Sequence, residues 1–217
     1  MCRRTVVPMV GINECGELLV TCSRLFPARR VTRLLCCSAL AFLTLCAAAG
    51  AQEGVFLSED QAPGAVFPAA DRFESDVVPA TPELHERLRV LLAPAEPSVW
   101  EDHYVIFKAS RGDNLLGYAV IVEEIGKHRP ITFVVGVRPD DRVNDVAVMA
   151  YREAYGGEVK NKRFLAQYRD HASADPLQPF ADIKNIAGAT LSVDAAGRAV
   201  KKALAVAQVV FGAGGGG

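Results

Sequence analysis

The residues best suited to a chemical role are two small residues and a threonine, which precede a long amphipathic segment. Gly188 and Ala189 let a bulky group approach the backbone, and Thr190 places an oxygen beside them. A helix that begins just afterwards offers unpaired N–H groups and the positive end of its dipole, both of which favour a phosphate. The residues alone leave two interpretations open: a phosphate-binding turn, or a tight turn before a capped helix.

The segment after Thr190 predicts a helix that ends before Gly212. Ser192 is the expected N-cap, and Asp194 falls in the first turn, where the helix dipole favours an acid. Apolar residues recur at helical spacing over 193–211, which predicts a face packed against the rest of the domain. The expected polar face carries Arg198, Lys201, Lys202 and Gln208.

Four β-rich runs precede this helix, at about residues 103–109, 115–124, 130–137 and 143–151. Their connections are too short for parallel crossovers, so they predict an antiparallel meander. The fold class expected is therefore α+β, a twisted antiparallel sheet with packed helices in a single domain after an N-terminal signal segment.

Two further helices are expected around this sheet. One opens with Thr81 as N-cap and Pro82 as its first residue. Its predicted inner face carries Leu84, Leu88, Leu91 and Leu92. A shorter helix is expected at about 162–169, after a break that contains Gly156 and Gly157.

Charge and cysteine usage exclude several function classes. The formal net charge is -1, but residues 1–51 hold six arginines and two acids, so the remainder carries -5. An acidic domain without a basic stripe argues against a nucleic-acid partner. All six cysteines precede residue 47, which excludes disulfides and thiolate metal sites from the domain. The four histidines lack metal-ligand spacing, and we predict neither a metal site nor a catalytic residue.

The front of the chain has the pattern of a secretory signal. Arg29, Arg30 and Arg33 precede an apolar stretch at 34–48, and Ala49-Gly50-Ala51 follows with small residues at the positions that a signal peptidase reads. The alternatives are an uncleaved anchor, or lipidation at Cys46. We expect an exported protein, periplasmic or on the outer face of the cytoplasmic membrane.

These observations divide the chain into four parts. Residues 1–51 are the expected signal peptide with an N-terminal extension, of which 1–28 precede the arginine-rich start. Residues 52–80 are an expected lead-in, loose over 52–70. The domain is expected at 81–211, and 212–217 are a glycine-rich tail.

Several ordered motifs resemble the FMN-binding domain family, which includes flavin-carrying subunits of the sodium-pumping quinone reductase and Rnf membrane complexes. Gly188-Ala189-Thr190-Leu191-Ser192 before a C-terminal helix is similar to the family's flavinylation motif. The other similar segments are Val66–Asp71, Gly117–Val120, Ile125–Thr132, Tyr151–Val159 and Arg163–Tyr168.

The resemblance implies an FMN-binding electron carrier rather than a stand-alone enzyme. In the family, a separate magnesium-dependent flavin transferase esterifies the motif threonine, here Thr190, to the phosphate of FMN. Gly188 and Ala189 belong to the same motif. The matching loop supplies further candidates for contact with the flavin: Glu153, Tyr155, Gly156 and Gly157. The implied partners are a membrane electron-transfer complex or another redox partner.

Two positions depart from the family pattern. Lys184 stands where the family has an aspartate, and Ala187 stands where it has serine or threonine. The resemblance implies that both positions help the transferase to recognise its target. The alternatives are therefore an accessory module that holds FMN non-covalently or lacks it, and an enzyme that reduces a small substrate.

Overall fold

Six strands form one antiparallel sheet in the computed structural model, which describes residues 54–212. They are β1 (Gly54–Val55), β2 (Arg72–Pro79), β3 (His103–Arg111), β4 (Asn114–Ile125), β5 (Pro130–Val137) and β6 (Val143–Tyr151). Their order is β1-β6-β5-β4-β3-β2, so each strand from β2 to β6 pairs with its sequence neighbour. The α+β class and the meander are confirmed.

The expectation of a loose lead-in is wrong for the described residues before 71. Residues 54–55 form β1, and helix α1 (Ala62–Val66) covers one face of the sheet beside β5 and β6. Strand β2 then pairs with β3 along its whole length, from Arg72 opposite Ser110 to Pro79 opposite His103. As an edge strand it buries almost none of its side chains, so no apolar pattern marks it in the sequence.

Helix α2 (Pro82–Leu92) begins as its sequence predicts. The Thr81 hydroxyl accepts a hydrogen bond from the Leu84 N–H at 3.3 Å, which confirms the N-cap. Leu84, Leu88 and Leu92 are buried, whereas Leu91 is 46% exposed. The buried stripe follows the i, i+4, i+8 spacing, so the expectation that Leu91 shares it is wrong.

The C-terminal helix α4 (Thr190–Phe211) is the main apolar partner of the sheet, and it packs on β4, β5 and α2. It follows α3 (Lys162–Leu165) and two short 3-10 turns, Gly157–Lys160 and Ala166–Tyr168. The helix begins two residues before the predicted cap. Ser192 is buried in its first turn and is not the N-cap.

The predicted polar face of α4 is also wrong at Lys202, which is fully buried. Its ammonium donates to the carbonyl oxygens of Glu123 at 2.6 Å and Val99 at 2.9 Å. It also lies 2.9 Å from a carboxylate oxygen of Glu101 and 3.0 Å from one of Glu124. The oxygen atoms around the ammonium compensate its charge, which is the condition for burying a lysine.

The predicted signal peptide, the extension before it and residues 213–217 of the glycine-rich tail lie outside the described residues. Within residues 54–212, the helices are too short or too polar to cross a membrane.

Candidate functional site

Thr190 is the first residue of α4 and lies at the junction of a glycine turn and the helix. Gly188 has a φ of 80°, a left-handed conformation that other residues rarely adopt. The N-cap is Ala189, so no side chain caps the first N–H groups of the helix. The Thr190 hydroxyl oxygen accepts a hydrogen bond from Asn185 Nδ2 at 2.8 Å.

A cavity of about 370 Å³ opens above this junction. Three segments form its walls: the turn between β4 and β5, the residues after β6, and the first turn of α4. The lining residues are Lys127, His128, Glu153, Ala154, Tyr155, Gly188, Ala189, Thr190, Leu191 and Ser192. The cavity therefore places an uncapped helix start opposite a basic turn.

Glu153 shapes the basic wall of the cavity. One of its carboxylate oxygens accepts the backbone N–H groups of Lys127 at 2.6 Å, His128 at 2.5 Å and Arg129 at 2.9 Å. Partial burial pushes the pKa of Glu153 upward, but these hydrogen bonds and the nearby imidazole of His128 outweigh it, so the pKa is lowered. The ionised carboxylate holds the turn and leaves the Lys127 and His128 side chains exposed at the rim.

A buried pair of hydroxyls joins the other two walls. The Tyr151 hydroxyl donates to the carbonyl oxygen of Tyr155 at 2.5 Å and lies 3.1 Å from Ser192 Oγ. Burial raises the pKa of Tyr151; Ser192 lowers it, and Glu153 and Glu158 raise it further. The phenol therefore stays neutral and links the end of β6, the following loop and α4.

Two large apolar side chains stand open to solvent at the mouth of the cavity. Tyr155 is 83% exposed and Leu191 is 51% exposed. They come from different segments, the loop after β6 and the first turn of α4. Exposed side chains of this kind favour stacking and apolar contact with an aromatic ligand.

Residues 126–205 match the family model of the FMN-binding domain. Over these residues the chain is similar to the FMN-binding domain family. FMN is the cofactor that this match indicates. No curated protein matches the chain. The matched range begins after Val66–Asp71 and Gly117–Val120, so the resemblance of those two segments stays a prediction.

Four observations show that the site fits FMN. Its volume lies within the usual range of ligand pockets, about 300–1,000 Å³. A Cβ built on Gly188 meets no atom within 4 Å, so the backbone there faces open space. Asn185 Oδ1 is buried without a hydrogen-bond partner among the described residues, close to the hydroxyl where a polar ligand would lie. The uncapped helix start and the basic turn suit a phosphate and a ribityl chain.

The structure brings five of the seven residues predicted from the sequence to this cavity: Gly188, Ala189, Thr190, Glu153 and Tyr155. Gly156 and Gly157 do not line it. Gly156 lies behind the wall, where an added Cβ would come 2.8 Å from Ser192 Oγ, and Gly157 faces the side chain of Lys160. Their contact with the flavin stays a prediction. Gly156 is the N-cap of the 3-10 turn Gly157–Lys160, with a φ of 81°.

Sequence reasoning missed several residues of the site, namely Asn185, Lys127, His128, Leu191 and Ser192. Ser192 was expected only as a helix cap. Lys127 and His128 lie inside Ile125–Thr132, a segment that resembles the family, but they were not predicted to belong to the site. Lys184 does not line this cavity. It lines a second cavity of about 510 Å³ together with Glu158, Arg163 and Phe164.

Proposed function

We propose that this chain is an exported electron-transfer protein whose FMN is joined through its phosphate to Thr190. When bound, FMN supplies the redox chemistry, since the flavin ring accepts electrons and passes them on. The chain's own residues bind and orient the cofactor. One observation carries the proposal: Thr190 lines a cavity at an uncapped helix start, where a phosphate is favoured.

The surroundings of the site support an electron carrier more than a stand-alone enzyme. The two large apolar side chains that line the cavity, Tyr155 and Leu191, are exposed. A flavin held between them would have an edge open to a redox partner. Glu153 is the carboxylate among the lining residues, and the backbone N–H groups of the 127–129 turn engage it.

A covalent link suits a protein that works outside the cytoplasm. An exported protein cannot readily recover a cofactor that dissociates into dilute surroundings, and an ester to Thr190 removes that loss. The resemblance to membrane-complex subunits supports a flavin transferase as the maturation partner and a membrane electron-transfer complex as the redox partner.

Acid precipitation of protein co-expressed with a flavin transferase tests the linkage. Wild-type protein is expected to keep its yellow colour in the pellet, and Thr190→Val, which retains shape without the hydroxyl, is expected to lose it. Thr190→Ser is the matched control, because it keeps the hydroxyl and should remain labelled. Equal flavin in the wild-type and Thr190→Val pellets would exclude Thr190 as the attachment point.

Export is tested separately, on protein from its native host. Cleavage after Ala51 predicts a mature chain that begins near Gln52. Mass spectrometry of the N-terminus is the measurement, and a chain that starts at Met1 in the cytoplasmic fraction would contradict export.

A second candidate is an accessory module that binds FMN without a covalent bond. Lys184 and Ala187 favour it, since both replace residues that the family resemblance assigns to recognition by the transferase. In that case acid releases the flavin from wild-type protein, and Thr190→Val weakens FMN binding by loss of a phosphate contact. A colourless wild-type protein, purified with the transferase present, would contradict both candidates.

A further inference from the structure

We propose that Asn185 is a positioning residue for the Thr190 hydroxyl during flavin attachment, a role that depends on the proposed function. The side-chain amide of Asn185 donates to Thr190 Oγ1 at 2.8 Å. This is the one hydrogen bond that the Asn185 side chain makes within residues 54–212, since its Oδ1 is buried without a partner.

The contact fixes the oxygen that must react. A threonine hydroxyl at the start of a helix has several rotamers, and a donor 2.8 Å away favours the one that directs the oxygen to the amide. Thr190 also lines the cavity, beside Gly188. Because the N–H donates to this oxygen, the hydroxyl proton is left free to be removed.

The reaction that this arrangement assists is a phosphoryl-type transfer without redox change. The Thr190 hydroxyl gives its proton to a base on the transferase, and Oγ1 forms a bond to the phosphorus of an activated flavin diphosphate. The phosphoanhydride bond on the far side of that phosphorus breaks, and the nucleotide leaves with its electron pair. Negative charge grows on Oγ1 as the proton departs, and the Asn185 N–H stabilises it there.

A purely structural role for Asn185 is the competing explanation, and the structure argues against it. An amide that only fastened the loop would be expected to satisfy both of its ends, because an unpartnered buried oxygen is costly. Here the donor end meets the reacting hydroxyl and the acceptor end meets nothing in the described residues. The amide is thus oriented toward Thr190 at some cost to the free protein.

The test is the initial rate of acid-stable flavin labelling, with purified full-length protein, transferase, Mg²⁺ and flavin dinucleotide as the probe. Asn185→Ala removes the donor and is expected to slow labelling at least about tenfold. Asn185→Asp keeps the size but places a negative acceptor beside Oγ1, which opposes the growing charge. It is expected to be slower than Asn185→Ala, roughly by a further tenfold.

The relative labelling rates of the two variants distinguish a positioning role for Asn185 from a structural one. A structural role predicts that the isosteric Asn185→Asp is labelled faster than Asn185→Ala, and this result would overturn the proposal. So would labelling of Asn185→Ala at the wild-type rate. Circular dichroism melts check folding, and if Asn185→Ala does not fold, Asn185→Ser takes its place in the comparison.

Failure of the proposed function would look different. Wild-type protein without acid-stable flavin contradicts the linkage to Thr190, and the role of Asn185 falls with it. Failure of the inference alone leaves wild type fully labelled and shows only in the variants. Thr190→Val provides the unlabelled baseline in both cases.

Discussion

Tyr151 and Ser192, 41 residues apart in sequence, meet in the interior with their hydroxyl oxygens 3.1 Å apart. Tyr151 ends β6 and Ser192 lies in the first turn of α4, so the contact joins two of the segments that form the candidate cavity. The Tyr151 hydroxyl also donates to Tyr155 O at 2.5 Å. Since it uses its proton there, Ser192 is the donor to Tyr151, and the three residues form a directed chain.

Tyr151→Phe should loosen this junction. It removes one hydroxyl and leaves the Ser192 hydroxyl and the Tyr155 carbonyl without their partner, for an expected loss of about 1–2 kcal/mol in the free energy of unfolding. Urea unfolding is the measurement. Tyr118→Phe is the control, because Tyr118 stacks on Phe211 through its ring and should change stability by less than about 0.5 kcal/mol. A loss in Tyr118→Phe equal to that in Tyr151→Phe would show that the hydroxyl chain is unimportant.

Three glycines with positive φ allow backbone strain to be separated from crowding and from ligand contact. Gly112 and Gly188 face open space, whereas a Cβ on Gly156 would meet Ser192 Oγ at 2.8 Å and Tyr151 Oη at 3.0 Å. Alanine at Gly112 or Gly188 should cost about 1–2 kcal/mol from the left-handed conformation alone. Alanine at Gly156 should cost roughly 1–3 kcal/mol more, because the hydroxyl chain must move.

FMN binding should distinguish Gly188→Ala from Gly112→Ala, although the two are expected to lose similar stability. Gly188→Ala places a methyl group in the cavity and should weaken FMN binding at least about tenfold, or 1.4 kcal/mol. Gly112→Ala, in the turn between β3 and β4, should bind FMN as wild type does. Thermal melts measure the loss of stability, and FMN titration measures the affinity of each variant. Normal FMN affinity in Gly188→Ala would mean that the cofactor does not approach this backbone.

The fold was predictable where one face of an element is buried and the other is not. Strands β5 and β6 lie within their predicted limits because their apolar residues are β-branched and bounded by turns. Strand β2 has no such pattern, since an edge strand is held by backbone hydrogen bonds that any side chain permits. The long helix was found by its apolar stripe, but Lys202 was misplaced because its acidic partners come from distant elements.

The site was predictable only in part, and for a comparable reason. Thr190 and its small neighbours form a local motif, so sequence order alone brings them together. Asn185 precedes the motif and Leu191 lies within it, yet their residue types do not indicate that Asn185 contacts the hydroxyl or that Leu191 lines the cavity. Lys127 and His128 reach the site because Glu153 binds the turn that carries them, and a hydrogen bond between a loop and a distant turn leaves no periodic signal.

The buried ammonium of Lys202 should be a major determinant of stability. Lys202 and Glu124 are fully buried and 3.0 Å apart. Removal of the Lys202 charge takes a cation from between Glu101 and Glu124, and it leaves Arg198 as the ion-pair partner of Glu124. Lys202→Met should lower the free energy of unfolding by about 3–5 kcal/mol. The double variant Lys202→Met with Glu124→Gln should regain part of that loss. Lys201→Met, next to it and only half-buried, is the control. Equal effects of Lys201→Met and Lys202→Met in urea unfolding would contradict this account.

The turn that forms the basic wall of the cavity should open in acid. The pKa of Glu153 is lowered in the folded protein, so the stabilisation is fully present above the unfolded glutamate pKa, about 4.3, and is lost as the pH falls through the lower folded pKa. The amide proton shifts of Lys127, His128 and Arg129, followed by NMR from neutral pH to about pH 3, should titrate together with a midpoint below 4.3. Glu153→Gln should remove this titration, and Glu158→Gln, a nearby carboxylate that does not bind the turn, should leave it intact. A midpoint above 4.3, or one that persists in Glu153→Gln, would show that another group holds the turn.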